Sequence, residues 1–295
     1  MNIGIVGGDL RIVELIKLLH QKDHNILICG LEGSEELNNY IKNISLDKNT
    51  KEKCVKIVDN LDEIAKKAET IITSIPISKD GIKINTPFSH KNILVQEMFN
   101  KLANKKIITG NITQEIASYI NAENKNNVVD ILNLEELKIL NAIPTAEGAI
   151  QVALEESQIT IHNNNCLVMG FGRIGKILSK MLYGLGANVY CEARKSKDLA
   201  EIFSNSYKAI DLEELNENLS KFDFIFNTIP CIILNEKNLG LVKQNCVLID
   251  LASKPGGIDF KVAQKLGLKA KWALALPGKV APKTAATYIY KTLGL

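Results

Sequence analysis

The turn Gly170-Phe171-Gly172-Arg173-Ile174-Gly175 constrains this chain more than any other feature. A short apolar run, Cys166 to Met169, precedes it, and apolar residues at helical spacing from Ile177 to Leu185 follow it. Three glycines so spaced are weak evidence alone, but between a buried strand and a helix they form a dinucleotide fingerprint. The first permits a tight turn, the second lets backbone approach a pyrophosphate, and the third lets helix and strand pack closely. The helix N-terminus then attracts the phosphates. All six residues are therefore candidate cofactor ligands.

The next strand, Val189 to Ala193, should choose the nicotinamide cofactor. An acid near its end suits a ribose 2′-hydroxyl, whereas an arginine accommodates a 2′-phosphate. Glu192 stands 17 residues after Gly175 and Arg194 stands 19 after it. The loop Ala193-Arg194-Lys195-Ser196 offers two cations and a hydroxyl, and a guanidinium grips phosphate in bidentate fashion. NADP is favoured over NAD, with Glu192 turned to the other face of its strand. Asn227-Thr228-Ile229-Pro230 and Leu251-Ala252-Ser253 each end a later strand. Ligands of open α/β sheets lie at such carboxyl ends, so these residues join the cofactor candidates.

The same grammar appears earlier in the chain. Ile3 to Val6 reads as a strand, Gly7-Gly8-Asp9 as a turn, and Leu10 to Leu19 as a helix. Ile71 to Pro76 follows Gly7 much as Ile225 to Pro230 follows Gly170, each ending in Ser/Thr-Ile-Pro. The first turn lacks a third glycine, so it suits a carboxylate held by Arg11 rather than a dinucleotide. The expected fold is α/β: two Rossmann-like, doubly wound parallel-sheet domains facing across a cleft. Residues 1–148 would form a substrate domain and 149–280 the cofactor domain, with a final helix over about 281–295 returning to the first. Ile143 to Gly148 should open a helix, with Pro144 and Glu147 in its first turn.

A length of 295 residues accommodates two such domains. The formal net charge of +3 gives no case for a nucleic-acid or acidic-membrane surface. Only Arg11, Arg173 and Arg194 among the 36 basic residues are arginine, so each invites a specific role. The six cysteines show no Cys-x-x-Cys pair and no metal spacing with histidine, which reads as reduced thiols without a metal. No apolar run approaches membrane-spanning length and no leader precedes the first strand, so a cytoplasmic protein is expected. Residues 163–295 contain no histidine, against a late-histidine acid/base. Glu147, Asp9 and Lys283 are the candidates for proton transfer, with Lys254 a further lysine in view.

Together with Gly7 to Arg11, Ile143 to Gly148 and Asp250 to Gly257, the segment Leu276-Pro277-Gly278-Lys279-Val280-Ala281-Pro282-Lys283-Thr284-Ala285 resembles the dipicolinate synthase A-subunit family of spore-forming bacteria. The resemblance implies NADP-dependent oxidation of a dihydrodipicolinate-type ring from the lysine pathway to pyridine-2,6-dicarboxylate. It implies a second, flavoprotein-like partner, the dipicolinate synthase B-subunit, and a setting in the mother cell during sporulation, and it leaves a homo-oligomer open. A small dicarboxylate would be held by Gly8, Arg11, Ser74, Thr145 and Ala146. Aromatisation drives such a reaction, so alignment rather than strong base catalysis would suffice. Two alternatives stand beside this one: an alanine-dehydrogenase-like or shikimate-dehydrogenase-like oxidoreductase, and a non-catalytic dinucleotide sensor.

Overall fold

The computed structural model describes residues 1–46, 54–120 and 127–294. The chain divides into two compact units, Met1–Lys138 with the segment from Ala281 onward, and Ile139–Val280.

In the first unit the order is β1 (Asn2–Val6), α1 (Leu10–Gln21), β2 (Asn25–Cys29), α2 (Glu35–Leu46), β3 (Val55–Ile57) and α3 (Leu61–Lys67). Then come β4 (Thr70–Thr73), α4 (Val95–Lys101), β5 (Lys106–Thr109), α5 (Gln114–Ser118) and β6 (Val128–Asp130). The strands form one parallel sheet in the order β3-β2-β1-β4-β5-β6. Apolar residues on both faces build two cores. Ile3 and Ile5 enter one with α1, and Val6 and Ile71 enter the other with α3 and α4.

α6 (Glu135–Glu156) leads to the second unit: β7 (Asn165–Met169), α7 (Arg173–Gly184), β8 (Asn188–Ala193), α8 (Ser196–Ser204), β9 (Lys208–Asp211) and α9 (Leu215–Asn218). It continues with β10 (Phe224–Asn227), α10 (Glu236–Leu239), β11 (Val247–Asp250), α11 (Phe260–Lys265), β12 (Lys269–Trp272) and α12 (Leu276–Val280). This sheet is also parallel and reads β9-β8-β7-β10-β11-β12. Both sheets thus have the doubly wound 3-2-1-4-5-6 order, which reverses beside the first strand. Register aligns the carboxyl ends there: Val6 lies opposite Cys29 and Thr73, and Met169 opposite Glu192 and Asn227. α13 (Pro282–Thr292) buries Ala286 and Ile289 in the α1 core of the first unit.

Two expectations change. The helix expected to open at Ile143 starts at Glu135, so Pro144 is interior and Glu147 is well past the first turn. Glu135 and Glu136 occupy the favourable N-terminal positions instead. Interior proline removes one helical hydrogen bond, and the Thr145 hydroxyl donates back to the Asn141 carbonyl at 2.7 Å. The division between units accordingly falls at Lys138, within this continuous helix, rather than at 148. The polar, Asn/Lys-rich stretch after Gly30 holds α2, which turns Leu37, Ile41 and Ile44 onto the α1 core.

Candidate functional site

The glycine turn is built as its three roles require. Gly170 has φ +87°, and a side chain there would meet the Thr228 Oγ1 at 2.6 Å. A Cβ at Gly175 would strike the Gly170 carbonyl oxygen, so the third glycine closes helix on turn. At Gly172 a Cβ would meet nothing within 4 Å. Gly172 also caps α7 without any side-chain bond. Space and an uncapped helix start together fit a pyrophosphate. Phe171 is buried against Tyr207, Ile174 packs on the same core, and Arg173 is exposed.

At the end of β8, Arg194, Lys195 and Ser196 are exposed. Among the described residues neither the Arg194 nor the Lys195 side chain has a hydrogen bond or ion pair. α8 starts here without a side-chain cap. Ala193 is buried with α7, whereas Glu192 lies on the opposite face and is 1% exposed.

The Thr228 hydroxyl donates to the Met169 carbonyl at 2.8 Å, tying the β10 loop to the start of the turn. Asn227 is fully buried, and its amide donates to Asp250 Oδ1 at 2.7 Å and to the Ile229 carbonyl at 2.9 Å. Asp250 accepts further from the Ala252, Gly257 and Ile258 N–H groups. This network shapes both loops, so Asn227 acts on them from within. Ile229 is half-buried, Pro230 and Ser253 are exposed, and Leu251 and Ala252 are buried. The Trp272 indole donates to the Ala252 carbonyl at 2.8 Å and fixes that loop from β12. Sequence reasoning misses Asp250 and Trp272 as site residues. The pair Gly256-Gly257 is the available signal, because a side chain at Gly257 would collide with Asn227.

In the first unit Asp9 caps α1 through the Arg11 N–H at 3.0 Å. Its carboxylate also takes Arg11 Nε at 3.0 Å and Nη2 at 2.7 Å, and Nη2 reaches the Ile75 carbonyl. Arg11 is only 8% exposed, and among the described residues its Nη1 has no acceptor. Ser74 is buried and donates to the Ile77 carbonyl at 2.8 Å. The structure therefore brings Gly8, Asp9, Arg11 and the loop after Ser74 together.

The segment from Ile77 to Ile93 fills the rest of this sheet end. Gly8 N–H donates to the Asn85 carbonyl at 3.0 Å, and Gly33 N–H to that of Phe88 at 2.7 Å. A side chain at Gly7 would meet Ile84, Asn85 and Thr86. Glu32, just beyond β2, accepts the Ser89 hydroxyl at 2.5 Å. The chain's own segment thus occupies the ground a dinucleotide needs, and the Gly8 N–H is not open to an anion.

The remaining candidates lie on α6 and α13. Ala146 is in the α6–α7 core of the second unit. Glu147 is exposed and lines an apolar groove with Ile150, Leu154, Met181 and Leu185, beside the C-terminal part of α7. Lys283 is exposed at the start of α13, where its charge acts on Glu36.

Residues 2–132 match the model of the N-terminal domain of the dipicolinate synthase A-subunit. The dipicolinate synthase A-subunit of Bacillus subtilis (strain 168) is 32% identical over 99% of this chain and 94% of its own length. This chain belongs to the dipicolinate synthase A-subunit family. The crystal structure of the family member from Bacillus halodurans has a TM-score of 0.85 at 30% identity, covering 99% of this chain and 96% of that one. The crystal structure of the Bacillus subtilis protein gives 0.83 at 31%, covering 99% and 94%. An L-alanine dehydrogenase, at 11% identity and a TM-score of 0.64 over 99% of this chain and 87% of its own, shares the fold.

Residues 144–255 match the NAD-binding domain of D-isomer-specific 2-hydroxyacid dehydrogenases, the stretch that contains the glycine turn and the Arg194 loop. This family member is an NAD(P)-dependent oxidoreductase of dehydrogenase type, its nicotinamide dinucleotide domain lying in the second unit. Among the described residues no helix is long and apolar enough to cross a membrane.

Proposed function

We propose that the chain oxidises a dihydrodipicolinate-type ring to pyridine-2,6-dicarboxylate, the ring giving a hydride to NADP and a proton to a base. The observation that carries this reading is the pair of exposed cations, Arg194 and Lys195, beside a dinucleotide turn in a chain similar throughout to the dipicolinate synthase A-subunit. Arg194 would grip the 2′-phosphate and the start of α7 the pyrophosphate. The bound nicotinamide supplies the hydride acceptor. Arg11 would take a substrate carboxylate through Nη1, while Asp9 holds the other edge of its guanidinium in place. Of the three candidate bases, Asp9 stands beside that guanidinium and is our choice to receive the proton. Because the ring gains aromaticity, holding it in line is the larger task.

That the relatives are named as one subunit of a synthase supports a second, the B-subunit, which we take to be flavoprotein-like. The setting in this reading is the cytoplasm of a sporulating mother cell. The test is reduction of NADP or NAD by freshly generated dihydrodipicolinate, with and without the second protein. Reduced cofactor and dipicolinate should form together with NADP preferred. Arg194→Ala should abolish that preference, and Arg11→Ala should raise KM for the ring. Nucleotide binding without hydride transfer under every pairing would overturn the reading.

A further inference from the structure

We propose that Glu192 is a positioning residue for dinucleotide binding, holding the glycine turn from the sheet face opposite α7 and opposing the bound anion when it is ionised. This rests on the second unit binding a nicotinamide dinucleotide and on nothing about the ring substrate.

Alternation along β8 sends Cys191 and Ala193 toward the α7 core and Tyr190 toward the other. Glu192 shares the Tyr190 face, so it lies across the sheet from the helix that receives the phosphates. Its Oε2 accepts the Gly170 N–H at 3.2 Å, and its own main-chain carbonyl accepts the same N–H at 3.1 Å. Two acceptors from one residue thus converge on the first donor of the phosphate turn. Its Oε1 is buried and, among the described residues, has no partner.

A carboxylate satisfied at one oxygen and stripped of water at the other is costly when charged. Burial accordingly pushes the Glu192 carboxyl above its ordinary range, outweighing the Gly170 N–H bond. The Arg194 charge lowers it and Asp211, from β9, raises it further. From the β7 side it meets the Gly170 N–H.

The neutral acid still offers a carbonyl oxygen to Gly170, whereas the carboxylate adds a negative charge beside the pyrophosphate site. Dinucleotide binding should therefore draw a proton onto Glu192. One linked proton limits the pH dependence of Kd to about tenfold per pH unit.

The experiment titrates the whole chain with NADH, by nicotinamide fluorescence, from about pH 5.5 to 9, a window in which NADH has no titrating group. In the wild type Kd should rise with pH. Glu192→Gln, which keeps an acceptor for Gly170 but cannot ionise, should bind at every pH within about threefold of the wild type's low-pH value. Glu192→Ala should bind more weakly than Glu192→Gln throughout; if it does not fold, the glutamine variant decides alone. A flat wild-type profile, a glutamine variant that follows a sloping wild type, or one that binds weakly at all pH values overturns the proposal. Binding of neither NADH nor NADPH by any form would remove the dinucleotide site itself. A failure confined to ring oxidation leaves this inference standing.

Discussion

Gly172 and Gly175 differ by three positions and by what surrounds them. A methyl group at Gly175 strikes the Gly170 carbonyl oxygen, so Gly175→Ala should reopen the junction of turn and helix. We expect about 1–3 kcal/mol of lost stability, seen in urea unfolding, together with loss of NADH binding. At Gly172 the same methyl group enters empty space and the backbone needs no left-handed φ. Gly172→Ala should therefore unfold like the wild type yet weaken NADH binding about tenfold or more, because the space it takes is the ligand's. Equal losses of stability in both variants would refute the distinction. The motif itself displays both glycines. That one serves the protein and the other the ligand depends on where strand and helix pack. Arg11 teaches the converse: its rarity marks it in the sequence, but its anchoring by Asp9 and Ile75 exists only after folding.

At the scale of elements, α13 contributes side chains that a domain boundary drawn from local pattern assigns only loosely. Ile289 is buried at 1% exposure in the core that α1 shares. Ile289→Ala should cost about 2–4 kcal/mol. The lone tryptophan, Trp272, reports on the second unit, whereas far-ultraviolet circular dichroism sees both. The circular dichroism transition of Ile289→Ala should move to lower urea while the tryptophan fluorescence transition stays in place. Movement of both together would show that the units unfold as one. α6 shows why local signals mislead. Pro144 is a strong start signal by propensity, yet burial of Ala146, Ala149 and Ala153 along one face holds the helix through it. α2 shows the opposite case: Leu37, Tyr40, Ile41 and Ile44 recur at helical spacing, and Leu37, Ile41 and Ile44 reach the α1 core, yet the surrounding asparagines and lysines make the stretch read as a polar connection.

For the whole molecule, the second unit is continuous in sequence and the first is not. A fragment of residues 135–280 should fold and bind NADH alone, whereas residues 1–138, lacking α13, should remain unfolded or aggregate. Circular dichroism and NADH fluorescence check both, and a folded 1–138 fragment would show α13 to be dispensable. Thiol reactivity offers a second global readout. Cys54 and Cys231 are exposed, and Cys29, Cys166, Cys191 and Cys246 are buried. Burial pushes the Cys166 and Cys191 thiols up to about 12, which leaves no thiolate at neutral pH. A disulfide reagent should therefore modify two thiols rapidly in the native chain and six after denaturation.

Local pattern alone displays the alternation of strands and helices, the doubly wound class and the position of the dinucleotide turn. Those follow from local periodicity and from glycine's missing side chain, which need only neighbours along the chain. Tertiary structure decided what the segment Ile77 to Ile93 does to the first turn, that the Glu192 carboxyl meets the Gly170 N–H, and how Asn227 and Asp250 shape two loops at once. Each of these joins residues brought together by parallel strand pairing. Their meaning lies in burial and in which donors remain for a buried oxygen, and neither is written in the order of residues.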